Sequence, residues 1–449
     1  KYILKVFLYL HTQIRIMKLK FVLILSALSL INCTNRTGSN IAENNIQQSD
    51  FPNFEKISSE KSGLNFSNTL VHNLHNRLNV FDYDYYYNGS GVGIIDINND
   101  GLNDIFFCAN QAPNKLFLNK GNLVFEDITE SANINSNKMW SSGVTFADVN
   151  NDGWMDIYVS QGGPYSKNER KNLLLINQKD NTFKEQASIY GLDDSGISTQ
   201  SAFFDFDKDG DLDCVVMNEN DYWGVNPSSF SKILSDKQKL KENSSHLYRN
   251  DDGKFTDITE QAGLLKPSFG LGLCISDIND DNWLDIYIAN DYYLPDVMYI
   301  NNKNGTFSDQ IKNATKQISF SAMGVDIADI NNDNLKDIFV LDMAPSNHIR
   351  SKTLMASMNV PQFEMLTNTF GFQVQYMYNS LQLNVGNNKF HNVSQLAHLS
   401  KSDWSWAGLI FDTDNDEKED LYITNGYRRY SSDNDVKTRI NNEKRKCSN

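Results

Sequence analysis

Short apolar runs of four to six residues recur along most of the chain, each bounded by Asn, Asp, Gly or Ser. They are rich in β-branched and aromatic residues, and they fall in pairs. GVGII (91–95), GVTFA (143–147), SAFF (201–204), GLCIS (272–276), GVDIA (324–328) and AGLIF (407–411) are the first members. DIFF, DIYV, DCVV, DIYI, DIFV and DLYI are the second. Runs this short, punctuated by turn residues, predict strands rather than helices. Further downstream, NKLFLNKGNLVFEDIT (114–129), SHLYRNDDGKFTDIT (245–259), VMYINNKNGTFSDQI (297–311) and NSLQLNVGNNKFHNV (379–393) each read as strand, Asn/Gly turn, strand. One repeat is therefore four antiparallel strands. Recurring four-stranded units of about 50 residues predict an all-β fold, a β-propeller of four-stranded blades. Six repeats are visible, and six or seven blades are expected.

What joins the first strand to the second is the same in every repeat. The pattern D-x-[DN]-x-D-x-x-x-D occurs six times. Its first, third, fifth and ninth positions are Asp96, Asn98, Asp100 and Asp104; Asp148, Asn150, Asp152 and Asp156; and Asp205, Asp207, Asp209 and Asp213. The later copies give Asp277, Asn279, Asp281 and Asp285; Asp329, Asn331, Asp333 and Asp337; and Asp412, Asp414, Asp416 and Asp420. Carboxylates this close repel one another unless a cation sits among them. Oxygen-only ligands at alternating positions of a tight loop suit a hard cation, and Ca²⁺ is expected at about six sites. The sixth position must turn sharply. It is Gly101, Gly153, Gly210, Asn282 and Asn334, types that tolerate a left-handed backbone, and Glu417 in the last copy. An EF-hand loop starts the same way but needs Glu at position twelve and flanking helices. Position twelve here is Phe107, Val159, Val216, Ile288, Val340 and Ile423, each inside a β-rich run.

The loops and their strand flanks resemble the FG-GAP/VCBS repeat family, the calcium-loop propellers of integrin α-subunits and of many bacterial envelope proteins. The resemblance covers roughly residues 54–430. Segments similar to N-x-L-[FY]-x-N and F-x-D-I-T follow the loops, complete in NKLFLN (114–119), FEDIT (125–129) and FTDIT (255–259), an order most similar to large Bacteroidetes-type VCBS-repeat lipoproteins. Many of those end in an ASPIC/UnbV-type segment, which is not visible here, and the chain reads as the N-terminal part of such a protein. FEKISSEKSGLNF (54–66) resembles the outer strand and its following turn, and is expected to close the ring against the last blade, for which the chain supplies only two strands.

The remaining segments are accessory. Met17 opens MKLKFVLILSALSLINC, two lysines before an apolar run of 11 residues, too short to span a bilayer. This predicts export, with Cys33 lipidated as in a bacterial lipoprotein and residues 1–33 as leader. The expected location is the outer membrane, on the periplasmic or the surface side, with simple secretion as the alternative. Residues 34–50 are polar and read as a tether, 51–430 as the propeller, and 431–449 as a tail. A formal net charge of −15 and the lack of a basic stripe argue against nucleic acid. Cys108, Cys214 and Cys274 fall in different repeats and read as buried free thiols, and no CxxC or His/Cys cluster points to zinc.

In a four-stranded blade the acidic loops share one face. The long insertions 218–244 and 344–376 leave from the opposite face. Trp223, Tyr292, Tyr293 and KTLMASMNVPQFEML (352–366) are the candidate partner contacts there, although a helix packing its Met and Phe onto the propeller explains the last stretch equally. The expected function is a calcium-stabilised interaction module, tethered to the cell envelope by its lipid, that binds an envelope protein or glycan. The alternative is an envelope hydrolase or lyase, but no catalytic constellation stands apart from the metal loops.

Overall fold

The computed structural model describes residues 55–426 except 74, 76–77, 81, 135–138, 221–233 and 354–359, together with 435–436, 438–439 and 442–443. The chain divides into two compact units, Lys1–Asn53 and Phe54–Asn449, and only the second holds described residues. The leader, Cys33 and the tether therefore lie outside the described residues. Among the described residues, no helix is long and apolar enough to cross a membrane.

Each acidic loop joins two antiparallel strands. Sheet 1 runs Val92–Ile95, Asp104–Phe107, Lys115–Asn119, Phe125–Asp127. Sheet 2 runs Ser141–Ala147, Asp156–Gln161, Leu173–Asn177, Phe183–Glu185, and sheet 3 runs Ile197–Phe204, Asp213–Glu219, His246–Asp251, Lys254–Asp257. Sheet 4 runs Gly270–Ser276, Asp285–Asn290, Val297–Asn301, Phe307–Asp309, and sheet 5 runs Gly324–Ala328, Asp337–Leu341, Ser380–Asn384, Phe390–Asn392. Sheet 6 has three strands, in the order Met343–Ala344, Asp403–Phe411, Asp420–Asn425. The expected all-β, four-stranded blades are thus present in five sheets, and the sixth repeat supplies its first two strands.

The strand before each loop lies beside its counterpart in the next sheet, from sheet 1 through sheet 6. Side chains alternate along these inner strands, so each sheet has one face toward its predecessor and one toward its successor. Val144 and Phe146 pack on sheet 1, Phe203 on sheet 2, Leu273 and Ile275 on sheet 3, Val325 and Ile327 on sheet 4, and Ile410 on sheet 5. Facing forward from the second strands, Phe106, Tyr158, Val215, Tyr287 and Phe339 are at most 1% exposed. The same positions at the two ends of the series behave differently. Val92 and Ile94 of sheet 1 are 59% and 64% exposed, and Leu409, Phe411 and Tyr422 of sheet 6 are 50%, 41% and 50% exposed. Among the described residues, sheets 1 and 6 do not cover each other, and the ring of sheets is not closed.

Glycine sets how near the inner strands come. A Cβ on Gly143 would sit 2.6 Å from the carbonyl oxygen of Thr199, and one on Gly324 only 2.3 Å from that of Trp406. No other residue fits at such a backbone approach.

The N-terminal stretch forms the turn expected after an outer strand, but residues 55–58 form no strand and the ring it was expected to close stays open. Ser59–Ser62 forms a helical turn ending at Gly63, φ 77°. A Cβ on Gly63 would lie 2.2 Å from the Phe125 carbonyl oxygen, as one on Gly191 would lie 2.5 Å from that of Phe255. The turn after an outer strand thus rests on the outer strand of the next sheet, and Gly63 takes that place before sheet 1. The stretch that would pair with the last sheet begins in residues outside the description.

The insertion after sheet 5's second strand carries short helices, His348–Thr353 and Val360–Glu364, then a π-helical turn, Met365–Thr369. It returns through Gln375–Tyr376, parallel to Ile318–Ser319. Leu366 is buried with Phe269, Tyr293 and Leu294, so part of the insertion packs on the propeller as a helix reading expects. Cys108 and Cys214 are buried and Cys274 half-buried, all as free thiols.

Candidate metal loops and the opposite face

The six loops share one backbone path. The fourth residue is left-handed in every copy, as Asn99, Asn151, Lys208, Asp280, Asn332 and Asn415, with φ between 55° and 61°. The sixth is left-handed too, including Asn282, Asn334 and Glu417 at φ 65–67°. The last loop therefore keeps the shape of the others despite its Glu. The first Asp holds the turn. In the first loop Asp96 accepts from the amides of Asp100 and Gly101 at 3.2 and 2.8 Å, and in the last Asp412 accepts from Asp416 and Glu417 at 3.1 and 2.9 Å. The fifth residue accepts from the amide of the seventh, as Asp281 does from Trp283 at 3.0 Å.

Not all carboxylate oxygens are used in this way. Asp205 Oδ1, Asp207 Oδ1 and Asn279 Oδ1 are buried without a hydrogen-bond partner among the described residues. Asp205, Asp207 and Asp209 bring oxygens within 4.8 Å of one another, and so do Asp412, Asp414 and Asp420. Burial, then the charge of Asp209, holds Asp207 above the usual carboxylate range. Orphaned oxygens converging at this distance are a donor set that fits a hard, oxygen-seeking cation. Loops with Asn at position three (Asn98, Asn150, Asn279, Asn331) offer an amide oxygen in the same place.

The ninth residue has a second task. Asp104 accepts from the amides of Ile97 (3.0 Å) and Asn119 (2.7 Å), and Asp285 from those of Ile278 (2.9 Å) and Asn301 (2.8 Å). Asp156, Asp213 and Asp337 repeat the pair with Val149 and Asn177, Phe206 and Asn250, and Ile330 and Asn384. Asp420 takes the amide and hydroxyl of Thr413. These carboxylates staple the loop to the third strand, and burial pushes Asp156, Asp213 and Asp285 up to about 7.

The third-strand Asn was not singled out from the sequence, although one ends each of NKLFLN (114–119), NLLLIN (172–177), HLYRN (246–250), VMYIN (297–301) and NSLQLN (379–384). Asn177 Nδ2 donates to the carbonyl of Ile97 in the preceding loop at 2.8 Å, and Asn301 Nδ2 to that of Phe206 at 2.8 Å. Position four adds contacts between adjacent loops. Asn99 Nδ2 reaches the Gly153 carbonyl at 3.2 Å, and the Lys208 ammonium sits 4.6 Å over the Trp283 ring. These contacts link the first loop to the second and the third to the fourth.

The opposite face is built differently. The stretch 78–90, which the sequence reading passed over, brings Tyr83, Tyr85 and Tyr86 into a buried cluster with Trp140. Tyr85 donates to Asp291 at 2.9 Å, and the Tyr292 hydroxyl pairs with Asp84. Tyr293 is 6% exposed and packs with Phe269, Leu294 and Leu366, while Tyr292 is half-buried. Both candidate contact tyrosines are thus engaged inside the chain. Trp223 lies outside the described residues. Between sheets 2 and 3 a buried network joins Asp194 to His246 Nδ1 (2.5 Å), the Tyr248 hydroxyl (2.8 Å) and the Gly196 amide (2.6 Å).

A family model described as an FG-GAP-like repeat matches residues 96–159 and 277–340, two spans that each start on an acidic loop. Cartilage acidic protein 1 of Mus musculus is 25% identical over 238 residues, covering 53% of this chain and 34% of that protein. Its Xenopus tropicalis counterpart is 28% identical over 205 residues, covering 45% and 29%. The matched part spans about a third of the length of these relatives. Among solved structures, one on the specific recognition of non-reducing terminal N-acetylglucosamine by an Agrocybe aegerita lectin aligns with TM-score 0.41 and 16% identity, covering 74% of this chain and 73% of that one. The V. cholerae biofilm matrix protein Bap1 aligns with TM-score 0.35 and 11% identity, covering 71% and 41%. The chain thus carries FG-GAP-like repeats in two places and is similar to cartilage acidic protein 1 over about half of its own length.

Proposed function

We propose that the chain is a calcium-stabilised propeller that serves as an interaction module on a bacterial cell envelope, held there through a lipid on Cys33. It engages a protein or glycan through the face opposite the acidic loops. The observation that carries the calcium reading is the pair of buried, unpartnered oxygens of Asp205 and Asp207 in a loop whose carboxylates converge, with the orphan oxygen of Asn279 in the next loop. The loops hold the ions, and the ions would neutralise much of a formal net charge of −15. At free calcium about tenfold above Kd, each site adds roughly 1.4 kcal/mol, and six independent sites about 8 kcal/mol. That is comparable to the whole stability of an ordinary domain. Binding is assigned to the other face because the two long insertions leave from there, on a rigid scaffold.

The test is thermal unfolding of the chain from chelator to millimolar calcium, with magnesium alone as control. A midpoint that climbs with calcium and not with magnesium is expected. A midpoint indifferent to calcium removes the metal from the reading.

A further inference from the structure

We propose that the propeller axis, at its end away from the acidic loops, holds a chamber for a single sugar residue, seated between the Trp406 indole and the Glu219 carboxyl. This rests on the interaction-module reading and names a ligand class for it. Each inner strand, or the chain just before it, gives the chamber one residue, the sixth before its loop: Ser90, Ser142, Thr199, Leu271, Met323 and Trp406. In the order of the sheets, the first three are hydroxyls and the last three are apolar. The wall is therefore polar on one half and apolar on the other. A pyranose has the same division, hydroxyls around the rim and C–H groups on its faces.

Two further groups ask for a ligand. Glu219 is 3% exposed and lines the chamber. One carboxyl oxygen meets the Tyr83 hydroxyl, while Oε2 has no hydrogen-bond partner among the described residues. Asn88 Oδ1, on the same wall, is also buried without a partner. Buried acceptors left unmatched carry a standing cost, and both would be met by donors such as sugar hydroxyls. Trp406 is held for stacking, since its Nε1 donates to the Gly426 carbonyl at 2.9 Å and its ring is half-buried. C–H groups pack well on the electron-rich face of an indole.

Size and charge agree with this ligand. The chamber encloses about 190 Å³. A cavity of about 150 Å³ already takes benzene, so a substituted six-membered ring fits. Among the described residues no Lys, Arg or His lines it, which disfavours an anion. Burial, and then the charge of Asp291, lift Glu219 well above the ordinary carboxyl range. An organic ammonium is the rival, since two acceptors and an indole also suit a cation.

The experiment titrates the calcium-loaded full chain with glucose, galactose, mannose and xylose, and with choline, by calorimetry and tryptophan fluorescence. At least one sugar is expected to bind with a fluorescence change. Trp406→Ala and Glu219→Leu should each weaken it about tenfold or more, a loss of roughly 1.4 kcal/mol. Glu219→Gln should hold within about threefold, because its amide still presents an oxygen to the chamber. Asn88→Ala, on the segment before sheet 1, gives a second loss should Trp406→Ala fail to fold. No sugar binding by the folded, calcium-responsive chain overturns the chamber and leaves the calcium reading standing. Choline binding abolished by Glu219→Gln replaces the sugar with a cation. Sugar binding indifferent to Trp406→Ala and Glu219→Leu places the ligand elsewhere on the module and removes the chamber.

Discussion

Replacing Asp285 by Asn separates the structural task of a loop's ninth residue from any metal-binding one. The side chain is fully buried, and its two oxygens take the amides of Asn301 and Ile278 at 2.8 and 2.9 Å. An amide side chain accepts through one oxygen only, and its NH₂ then faces the second N–H. One buried N–H loses its partner, which costs about 1–3 kcal/mol. The bond lost is charge-assisted, roughly twice as strong as a neutral one. Working against this, burial raises the Asp285 acid to about 7, so the neutral amide relieves part of a desolvation penalty. The net expectation is a loss of about 2 kcal/mol, or about 2–4 °C in a chain of this size. The comparison is Asp277→Asn, whose oxygens take the exposed loop amides of Asp281 and Asn282. Both variants are melted in chelator and in millimolar calcium. Asp285→Asn should lose stability in both, and Asp277→Asn mainly where calcium is present. If Asp285→Asn melts with the parent in chelator, the staple is not what holds loop to strand.

Three other outcomes follow from the geometry. Burial alone would push His246 down, but the Asp194 carboxylate lifts it to about 9, while His246 offsets the upward push of burial on Asp194 and holds it at about 2. A folded pKa above the unfolded value of about 6.5 means that the His246 contribution is full below that pH and lost as pH rises through about 9. Urea midpoints should fall across this window, and a fall that survives in His246→Gln would assign it to other groups. Gly324→Ala puts a Cβ 2.3 Å from the Trp406 carbonyl, so sheets 5 and 6 must part, at about 1–3 kcal/mol by denaturant unfolding; a neutral effect would mean the inner strands are not in contact. Tyr287→Ala, at 1% exposure, should cost about 3–5 kcal/mol, whereas the equivalent Tyr422→Ala, at 50%, should cost under about 1. Equal losses would mean that sheet 6 is covered after all.

Much of this fold was legible because its repeats are local. An acidic loop and its two strands occupy about 20 consecutive residues, and six copies let the pattern check itself. The left-handed sixth position followed from Gly and Asn, since few other types tolerate that backbone. What was missed depends on contacts between repeats or with unrepeated chain. Asn177 and Asn301 look like turn residues until their amides are seen on the loop of the sheet before. Tyr292 and Tyr293 look like exposed aromatics on a loop, and nothing local reveals that Asp84 and Tyr85 lie against that loop, some 200 residues earlier in the chain. Glu219 reads as a strand-end acid until the axis places it beside Tyr83.

The two faces differ in how freely they can change, and that difference follows from the hydrogen bonds. On the loop face, the amide of a third-strand Asn binds its own loop's ninth Asp, while its side chain binds the carbonyl of the loop before, as in Asn301 with Asp285 and Phe206. A length change in one loop would therefore break bonds in two sheets. On the opposite face the bonds between successive sheets lie close to the strand ends, as from the Ser141 amide to the Ala109 carbonyl (3.1 Å) and from the Ala322 amide to the Asn290 carbonyl (3.2 Å). Between second and third strands the connections range from the short span between Asn290 and Val297 to the long one between Leu341 and Ser380. Insertions are tolerated where they disturb one sheet only. The same asymmetry bears on the metal. If cations occupy the loops, ordering one loop orders the backbone that the next sheet's Asn must meet, so the sites should fill cooperatively around the rim, with a steeper calcium dependence of stability than six independent sites would give.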